Sequence, residues 1–157
     1  MLQRKQTLFL LLAAVCGLLT FAFPVDTFTR GDQTFIFRTY GILTADGVPL
    51  TDATMKFPLA ILFGLFTALT VAAVFLYKNR PRQLRIVRMT AVFLVAMQAL
   101  VIITDNSIRA YLQQSGLVGR SHGASFFLPV AMIVLLMLAA HRIKKDEELV
   151  RSMDRLR

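Results

Sequence analysis

The chain has 157 residues, 56% of them hydrophobic, and a formal net charge of +9 at pH 7. A soluble fold would have to bury four almost uncharged helices in a very small protein, so the composition indicates a single membrane domain, residues 1–157. The basic residues flank the apolar segments, which favours a membrane topology over nucleic-acid binding.

Four long apolar stretches are predicted to be transmembrane helices. They cover residues 7–23, 57–77, 86–104 and 124–140. A hydrocarbon core of roughly 30 Å needs about 20 helical residues, with a range of about 17 to 25, and all four stretches reach that range. The predicted fold class is an all-α membrane protein, a bundle of four transmembrane helices with a small sheet between the first two.

The first stretch follows Arg4 and Lys5, which is also the pattern of a secretory signal peptide. Its length exceeds a usual signal-peptide core and its end lacks a clean cleavage site, so we expect an uncleaved helix; cleavage would leave three spans. Cys16, the only cysteine, lies in this stretch. A single thiol excludes disulfide shuttling by this chain alone and indicates a packing residue.

Residues 24–56 alternate in the manner of strands. The run 34–40 is rich in β-branched and aromatic residues, and turn signals stand at residues 31–32 and 46–47. We predict a hairpin, with residues 48–50 as a third short strand. Two strands alone are marginal in water, so the sheet should rest on the helix ends or on a partner. The simpler interpretation is that the aromatic face of the sheet packs on the helices. If this face instead binds a partner, the candidate side chains are Phe28, Phe35, Phe37 and Tyr40.

Residues 105–123 form a second segment on the same side. Asp105 or Asn106 is a candidate cap for a helical turn that stops at Gly116, unless the third span simply continues outward. Snorkelling or solvated charge is the simpler role for the basic groups here. One His without further ligands at suitable spacing indicates no metal site. The candidate lipid or anion contacts are Arg109, Arg120 and His122.

The apolar stretches carry few chemically active groups. No Asp, Glu or Lys lies deep in a predicted span, which argues against a pump or a coupled transporter. Gln98 is the strongly polar residue near a midplane, and we favour a hydrogen bond between helices over a contact with substrate. The sequence predicts no catalytic residue, no cofactor and no metal ligand.

Residues 141–157 are predicted to continue the fourth helix as an amphipathic tail. Pairs such as Lys144 with Glu148 stand four residues apart, and apolar residues form a stripe. A basic amphipathic helix lies on an anionic membrane or docks on a partner, and packing on the membrane surface is the simpler choice. The candidate partner-binding residues of the stripe are Leu149, Val150, Met153 and Leu156.

Basic residues are divided unequally between the two sides of this topology. The side of the termini (residues 1–6, 78–85 and 141–157, with Arg88) carries 13 of the 18 basic and four of the nine acidic residues. The other side carries five of each, so the whole excess of +9 lies on one face. Because Lys and Arg in short loops set orientation, both termini are predicted to be cytoplasmic.

The two ends of the chain resemble a known family. Residues 1–10 (MLQRKQTLFL) and 142–157 (RIKKDEELVRSMDRLR) are similar to the ends of the domain of unknown function 4293 family of small four-span membrane proteins from Bacteroidota. The tail is the more specific signal, because membrane topology alone would not select its charge pattern. The resemblance implies a multi-pass protein of a bacterial inner membrane, and it supplies no activity, cofactor or site residue.

Two functions from different classes are compatible with these residues. We favour a non-enzymatic subunit or scaffold of a membrane complex, whose partners are the lipid bilayer and either a membrane protein or a second copy. The alternative is a lipid-handling protein or small membrane enzyme that uses the polar groups of residues 105–123. A common groove for Asp105 and His122 would favour the alternative, whereas an exposed apolar face of the sheet would favour the subunit.

Overall fold

The computed structural model describes residues 5–50, 57–114 and 116–154, with side chains for residues 6–50, 57–114 and 116–148. Within these residues, four helices and four short strands follow one another along the chain. The helices are α1 (Lys5–Ala22), α2 (Leu59–Phe75), α3 (Arg80–Gln113) and α4 (Ala124–Asp154), and the strands are β1 (Asp26–Arg30), β2 (Gln33–Arg38), β3 (Gly41–Thr44) and β4 (Gly119–His122). A 3₁₀ turn, Leu76–Lys78, joins α2 to α3.

The helices follow the apolar stretches of the sequence. Three of them are long and apolar enough to cross a membrane: Leu59–Lys78, Arg80–Gln113 and Ala124–Glu148. The described part of the first, Gln6–Ala22, is a shorter apolar helix. Large side chains such as Ile61, Phe75 and Val92 are exposed on the helices. Soluble proteins rarely expose contiguous apolar surface of this kind, so the helices indicate membrane association.

Helices α3 and α4 extend beyond their apolar stretches. Helix α3 starts at Arg80 with proline in its first turn, where a missing N–H costs little, and ends at Gln113. The alternative in which the third helix continues outward past residue 104 is therefore confirmed, and no helix starts at Asp105 or Asn106. Helix α4 runs to Asp154, which confirms the predicted helical continuation as far as the structure describes it.

The helices pack side by side around a continuous apolar core. Helix α1 packs against α2 and α4, and α3 packs against the same two. Gly17 of α1 lies directly against Thr67 of α2, where an added Cβ would overlap the Thr67 hydroxyl. The Gln98 side-chain amide donates a hydrogen bond to the Phe126 carbonyl of α4 over 3.2 Å, so the predicted bond between helices is confirmed. Fully buried core residues include Leu10, Phe63, Leu94, Met97, Met132, Leu136 and Ile143.

The strands form one antiparallel sheet in the order β3-β2-β1-β4. The predicted hairpin is β1 and β2, and its turn contains Gly31 at a φ of 57°. The third strand is β3, Gly41–Thr44, which corrects the predicted position at residues 48–50; Pro49 forms only an isolated bridge to Leu43. Strand β4 comes from the segment between α3 and α4 and was not predicted. It pairs with β1, so the sheet joins two segments that lie far apart in the sequence.

The sheet lies at one end of the helices, where α1 and α3 end and α2 and α4 begin; we call this the sheet end. Arg38 of β2 donates a hydrogen bond to the Ala22 carbonyl at the end of α1 over 3.0 Å. The buried side chains Phe28, Phe35 and Phe37 belong to the same apolar core as the helices. The sheet is therefore packed on the helices, as the simpler interpretation of its aromatic residues predicted.

Candidate functional site

The pairing of β1 with β4 brings charged residues of both strands to one face of the sheet. Asp26 lies opposite His122, and Phe28 lies opposite Arg120. Alternate residues of a strand share a face, so Asp26 and Phe28 lie together with Arg120 and His122. This face meets α3 at Asp105, and the four polar residues form the ion cluster: Asp26, Asp105, Arg120 and His122.

Arg120 and His122 hold the two carboxylates of the ion cluster. Arg120 Nη2 lies 2.6 Å from Asp105 Oδ2 and 3.5 Å from Asp26 Oδ2. His122 Nδ1 lies 2.7 Å from Asp26 Oδ1, a distance typical of a charge-assisted hydrogen bond. Arg120 Nη2 also approaches His122 Nδ1 to 3.3 Å. His122 Nδ1 either carries a hydrogen and donates to Asp26 or carries a lone pair and accepts from Arg120, so it cannot make both bonds at once.

Both carboxylates are cut off from solvent, because the Asp26 and Asp105 side chains are 0% exposed. Burial raises the pKa of the Asp26 carboxyl above its ordinary value. The Asp105 side chain, the positive charge of Arg120 and the backbone N–H of Gly123 act in the opposite direction and reduce the rise. Among the described residues, no hydrogen bond reaches Asp26 Oδ2 or either Asp105 oxygen, although Arg120 Nη2 forms an ion pair with Asp105 Oδ2.

The charges of the ion cluster do not cancel while His122 is neutral. Two ionised carboxylates face one guanidinium, which leaves one negative charge in a site that excludes water. Arg109 is one helical turn beyond Asp105, but it forms no ion pair with the described carboxylates, and its Nε is buried without a partner. Arg120 is engaged by the protein's own carboxylates, which leaves its guanidinium less available to an anion from solution.

Aromatic side chains of α4 cover the His122 imidazole. The ring centroid of Phe126 lies 4.2 Å from that of His122, and Phe127 lies 6.1 Å away at a steep angle. The guanidinium carbon of Arg120 lies 5.9 Å from the Phe126 ring. The His122 side chain is nevertheless 38% exposed, so it is the part of the ion cluster that solvent reaches most readily.

Gly123 allows the close approach that sets the register of β1 and β4. Its N–H donates to the Val25 carbonyl over 2.8 Å, and an added Cβ would overlap the Pro24 carbonyl oxygen. The next residue but one, Ser125, donates from its hydroxyl to the Phe23 carbonyl over 2.8 Å. The start of α4 is thereby bonded to the end of α1, and this junction fixes Asp26 opposite His122.

The structure brings some of the predicted site residues together and separates others. Arg120 and His122 lie in one cluster with Asp105, whereas Arg109 does not take part. Phe35 and Phe37 are buried in the protein's own core, in agreement with the simpler interpretation of the aromatic residues. Tyr40 remains available, with 53% of its surface exposed.

The predicted contacts of the tail fall at the edge of the described region. Leu149, Val150 and Met153 lie on α4, but their side chains are outside the described part of the structure, and Leu156 lies outside it altogether. The sequence prediction also missed Asp26, because an Asp two residues after a proline is an ordinary turn residue. Its role depends on β4, 96 residues further along the chain, and no local pattern shows that pairing.

The arrangement can bind protons and can hold the sheet to α3. A guanidinium already lies between the carboxylates, and no group of three metal-ligating side chains occurs among the residues that the structure describes. An imidazole bonded to a buried carboxylate is also the arrangement used for general base catalysis. A search of curated proteins finds no match to the chain. A family model described as "Domain of unknown function (DUF4293)" matches residues 2–156, and the chain therefore belongs to that family.

Proposed function

We propose that this protein is a four-span protein of a bacterial inner membrane that serves as a non-enzymatic subunit or scaffold of a membrane complex. Three helices suit a membrane crossing by length and composition. The fourth, α1, has 18 residues and a rise of about 27 Å, close to the roughly 30 Å of a hydrocarbon core. Its packing against α2 and α4 supports a place for it beside the other three.

The charge distribution supports an orientation with the sheet end outside. The basic excess lies at the opposite end of the helices, where Arg80 donates a hydrogen bond to the Asp146 carbonyl over 2.9 Å. Because basic loops stay in the cytoplasm, the sheet and the ion cluster lie on the outer side in this proposal. Helix α4 has 31 residues and a length of about 46 Å, so its last turns extend into the cytoplasm.

The single observation that supports a scaffold is the closed state of the ion cluster. Both carboxylates are wholly buried, and each one is in contact with Arg120 or His122. The four polar groups of the ion cluster are therefore engaged in holding β1 and β4 on α3. Such a network gives a rigid outer sheet, which suits a platform for another protein better than it suits a mobile active site.

A partner can reach this protein at two places. On the outer side, Leu117 precedes β4 and is 96% exposed, and Val48 and Tyr40 are exposed at the turns of the sheet. On the cytoplasmic side, the tail of α4 carries the apolar stripe. Exposed apolar side chains next to a rigid element are typical of binding surfaces, so these two places define the experiment.

The proposal is tested by cross-linking in the native membrane and identifying what co-purifies. Three chains are compared: the full-length chain, a chain truncated after Lys145 and a full-length Leu117→Ser variant. We expect a stoichiometric membrane protein with the full-length chain. Its loss on truncation would assign the contact to the tail, and its loss in Leu117→Ser would assign the contact to the sheet. The absence of any protein partner from all three would overturn the scaffold proposal.

One observation favours the second candidate, a lipid-handling protein or small membrane enzyme at the outer interface. Asp105 and His122 belong to one cluster, and the exposed imidazole of His122 is oriented by Asp26. Retention of a specific phospholipid by the wild type, its loss in His122→Gln and the absence of a protein partner would support this function. Arg109→Gln is the second variant to be tested for loss of the phospholipid, because the Arg109 guanidinium is not engaged by the described carboxylates.

A further inference from the structure

The charge balance of the ion cluster depends on one proton. With both carboxyl groups ionised and the imidazole neutral, Arg120 compensates one of two negative charges. An uncompensated charge in a buried site is strongly unfavourable, and proteins usually relieve it by a change of protonation. The oxygens concerned are wholly buried, so only a very small species reaches them without opening the fold.

The geometry provides places for that proton. The Asp26 and Asp105 side chains lie within hydrogen-bonding reach of each other. Two carboxyl groups share a hydrogen bond only when one of them is protonated, because an ionised carboxylate is solely an acceptor. The two carboxyl groups therefore titrate as a unit. The His122 Nδ1 lies 2.7 Å from Asp26 Oδ1 and so connects the carboxyl pair to the partly exposed edge of the site.

We propose that the ion cluster is a binding site for one proton, and that proton uptake closes the contact between the sheet and α3. With the proton bound, the two carboxylates, the guanidinium and the imidazole carry no net charge, and β1 and β4 stay on α3. When the proton leaves, the uncompensated negative charge weakens this contact. The partly exposed His122 is the route by which the proton enters and leaves.

Among the described residues, the elements around the ion cluster supply no other group that balances its charge. On β1, the Arg30 guanidinium donates to the Gln33 side chain over 2.8 Å. On α3, Arg109 makes no ion pair with the described carboxylates. On β2, the Arg38 guanidinium is engaged at the Ala22 carbonyl. The described residues of α1 after Lys5 carry no charge, nor do residues 57–77 or the first 17 residues of α4. The uptake of one proton is therefore the simplest way to neutralise the site.

The direction of the pH effect follows from Asp26. Burial raises its pKa in the folded protein above the unfolded value of about 3.9. Stability from such a group is fully present below the unfolded pKa and is lost as the pH rises through the raised pKa. The contact between the sheet and α3 is therefore tighter in acid and weaker in alkali, by up to about tenfold in the equilibrium constant per pH unit for one proton.

The first test observes the proton itself in the full-length protein in lipid nanodiscs. Infrared difference spectra between about pH 5 and about pH 8 should contain the carbonyl band of a protonated carboxyl group, shielded from solvent. The band should disappear in Asp26→Asn or Asp105→Asn and persist in Asp46→Asn, since Asp46 is an exposed turn residue. A wild-type protein without a titrating buried carboxyl band would overturn the proposal, and this result requires no variant to fold.

The second test observes the contact by hydrogen exchange. After correction for the intrinsic pH dependence of exchange, the β4 amides of the wild type should be less protected at about pH 8 than at about pH 5. Asp105→Asn imitates the protonated carboxyl and should give the same protection at both values. Equal pH profiles for the wild type and Asp105→Asn would refute the coupling of proton and contact. If Asp105→Asn does not fold, Asp26→Asn provides the same comparison, because it also removes one of the two negative charges.

Discussion

Replacement of Arg120 by glutamine should destabilise the protein severely. The substitution keeps a polar side chain of moderate length but removes the guanidinium that lies 2.6 Å from Asp105 and 3.5 Å from Asp26. Removal of one partner from a buried ion pair costs about 3–5 kcal/mol, mainly because a buried charge is left behind. Arg120 is one-fifth exposed, and a carboxyl group can take up a proton, so the loss should be near the lower end of this range. We expect the free energy of unfolding to fall by about 3 kcal/mol.

Two variants separate this electrostatic cost from a general effect of losing an arginine. Arg109→Gln is the matched control on α3, and we expect it to cost less than about 1 kcal/mol, because Arg109 has no ion pair with the described carboxylates. The double variant Asp105→Asn, Arg120→Gln removes the Asp105 carboxylate together with the guanidinium that pairs with it. This double variant should recover about 1–2 kcal/mol relative to Arg120→Gln alone, within the usual range for coupled neighbours.

The chain offers two practical probes for these measurements. It contains no Trp and a single Cys, Cys16 on α1, so unfolding is followed by circular dichroism and by the labelling rate of that thiol in mixed micelles. Both probes should report the same order: wild type and Arg109→Gln most stable, the double variant intermediate and Arg120→Gln least stable. Equal, small effects of Arg109→Gln and Arg120→Gln would show that the ion cluster does not hold the sheet.

Three further substitutions test contacts outside the ion cluster with the same unfolding assay. Gly123→Ala should cost about 1–3 kcal/mol, because the new methyl group meets the Pro24 backbone, which cannot move aside as a side chain would. Gln98→Leu should cost about 0.6 kcal/mol through the lost hydrogen bond to Phe126, and a larger effect would indicate a further contact. Arg38→Gln should cost about 0.3–1 kcal/mol and increase hydrogen exchange at the end of α1, where its positive charge meets the last carbonyls.

The helices were predictable because the signal for them is local. In an apolar environment the backbone N–H and C=O groups of a stretch such as residues 57–77 must all be hydrogen-bonded. A helix forms these bonds within the segment, whatever the segment packs against. The first hairpin was predictable for a similar reason, since Gly31 sits in its turn with a positive φ. The alternation of Phe35 and Phe37 correctly predicted a shared face. Which side of the sheet that face occupies depends on the helices, and a strand pattern does not contain this information.

Strand β4 and the ion cluster were not predictable from local patterns. Residues 119–122 read Gly-Arg-Ser-His, a sequence with low strand propensity, and they form a strand because β1 offers an unpaired edge. Asp26 likewise has no distinctive neighbours in the sequence. The pairing that joins them spans 96 residues, and the backbone hydrogen bonds around Gly123 support it.

The position of Asp105 explains why the sheet and α3 depend on each other. Asp105 is the first charged residue after the apolar stretch 86–104, so hydropathy alone ends the helix there. The helix instead continues to Gln113, and the first turn beyond the apolar stretch carries a carboxylate with no exposed surface. A buried carboxylate is tolerated only when it is paired or protonated. Arg120 on β4 pairs with Asp105, and the sheet shields both groups from water. The sheet therefore lowers the free-energy cost of burying Asp105, and α3 lowers the cost of burying Arg120.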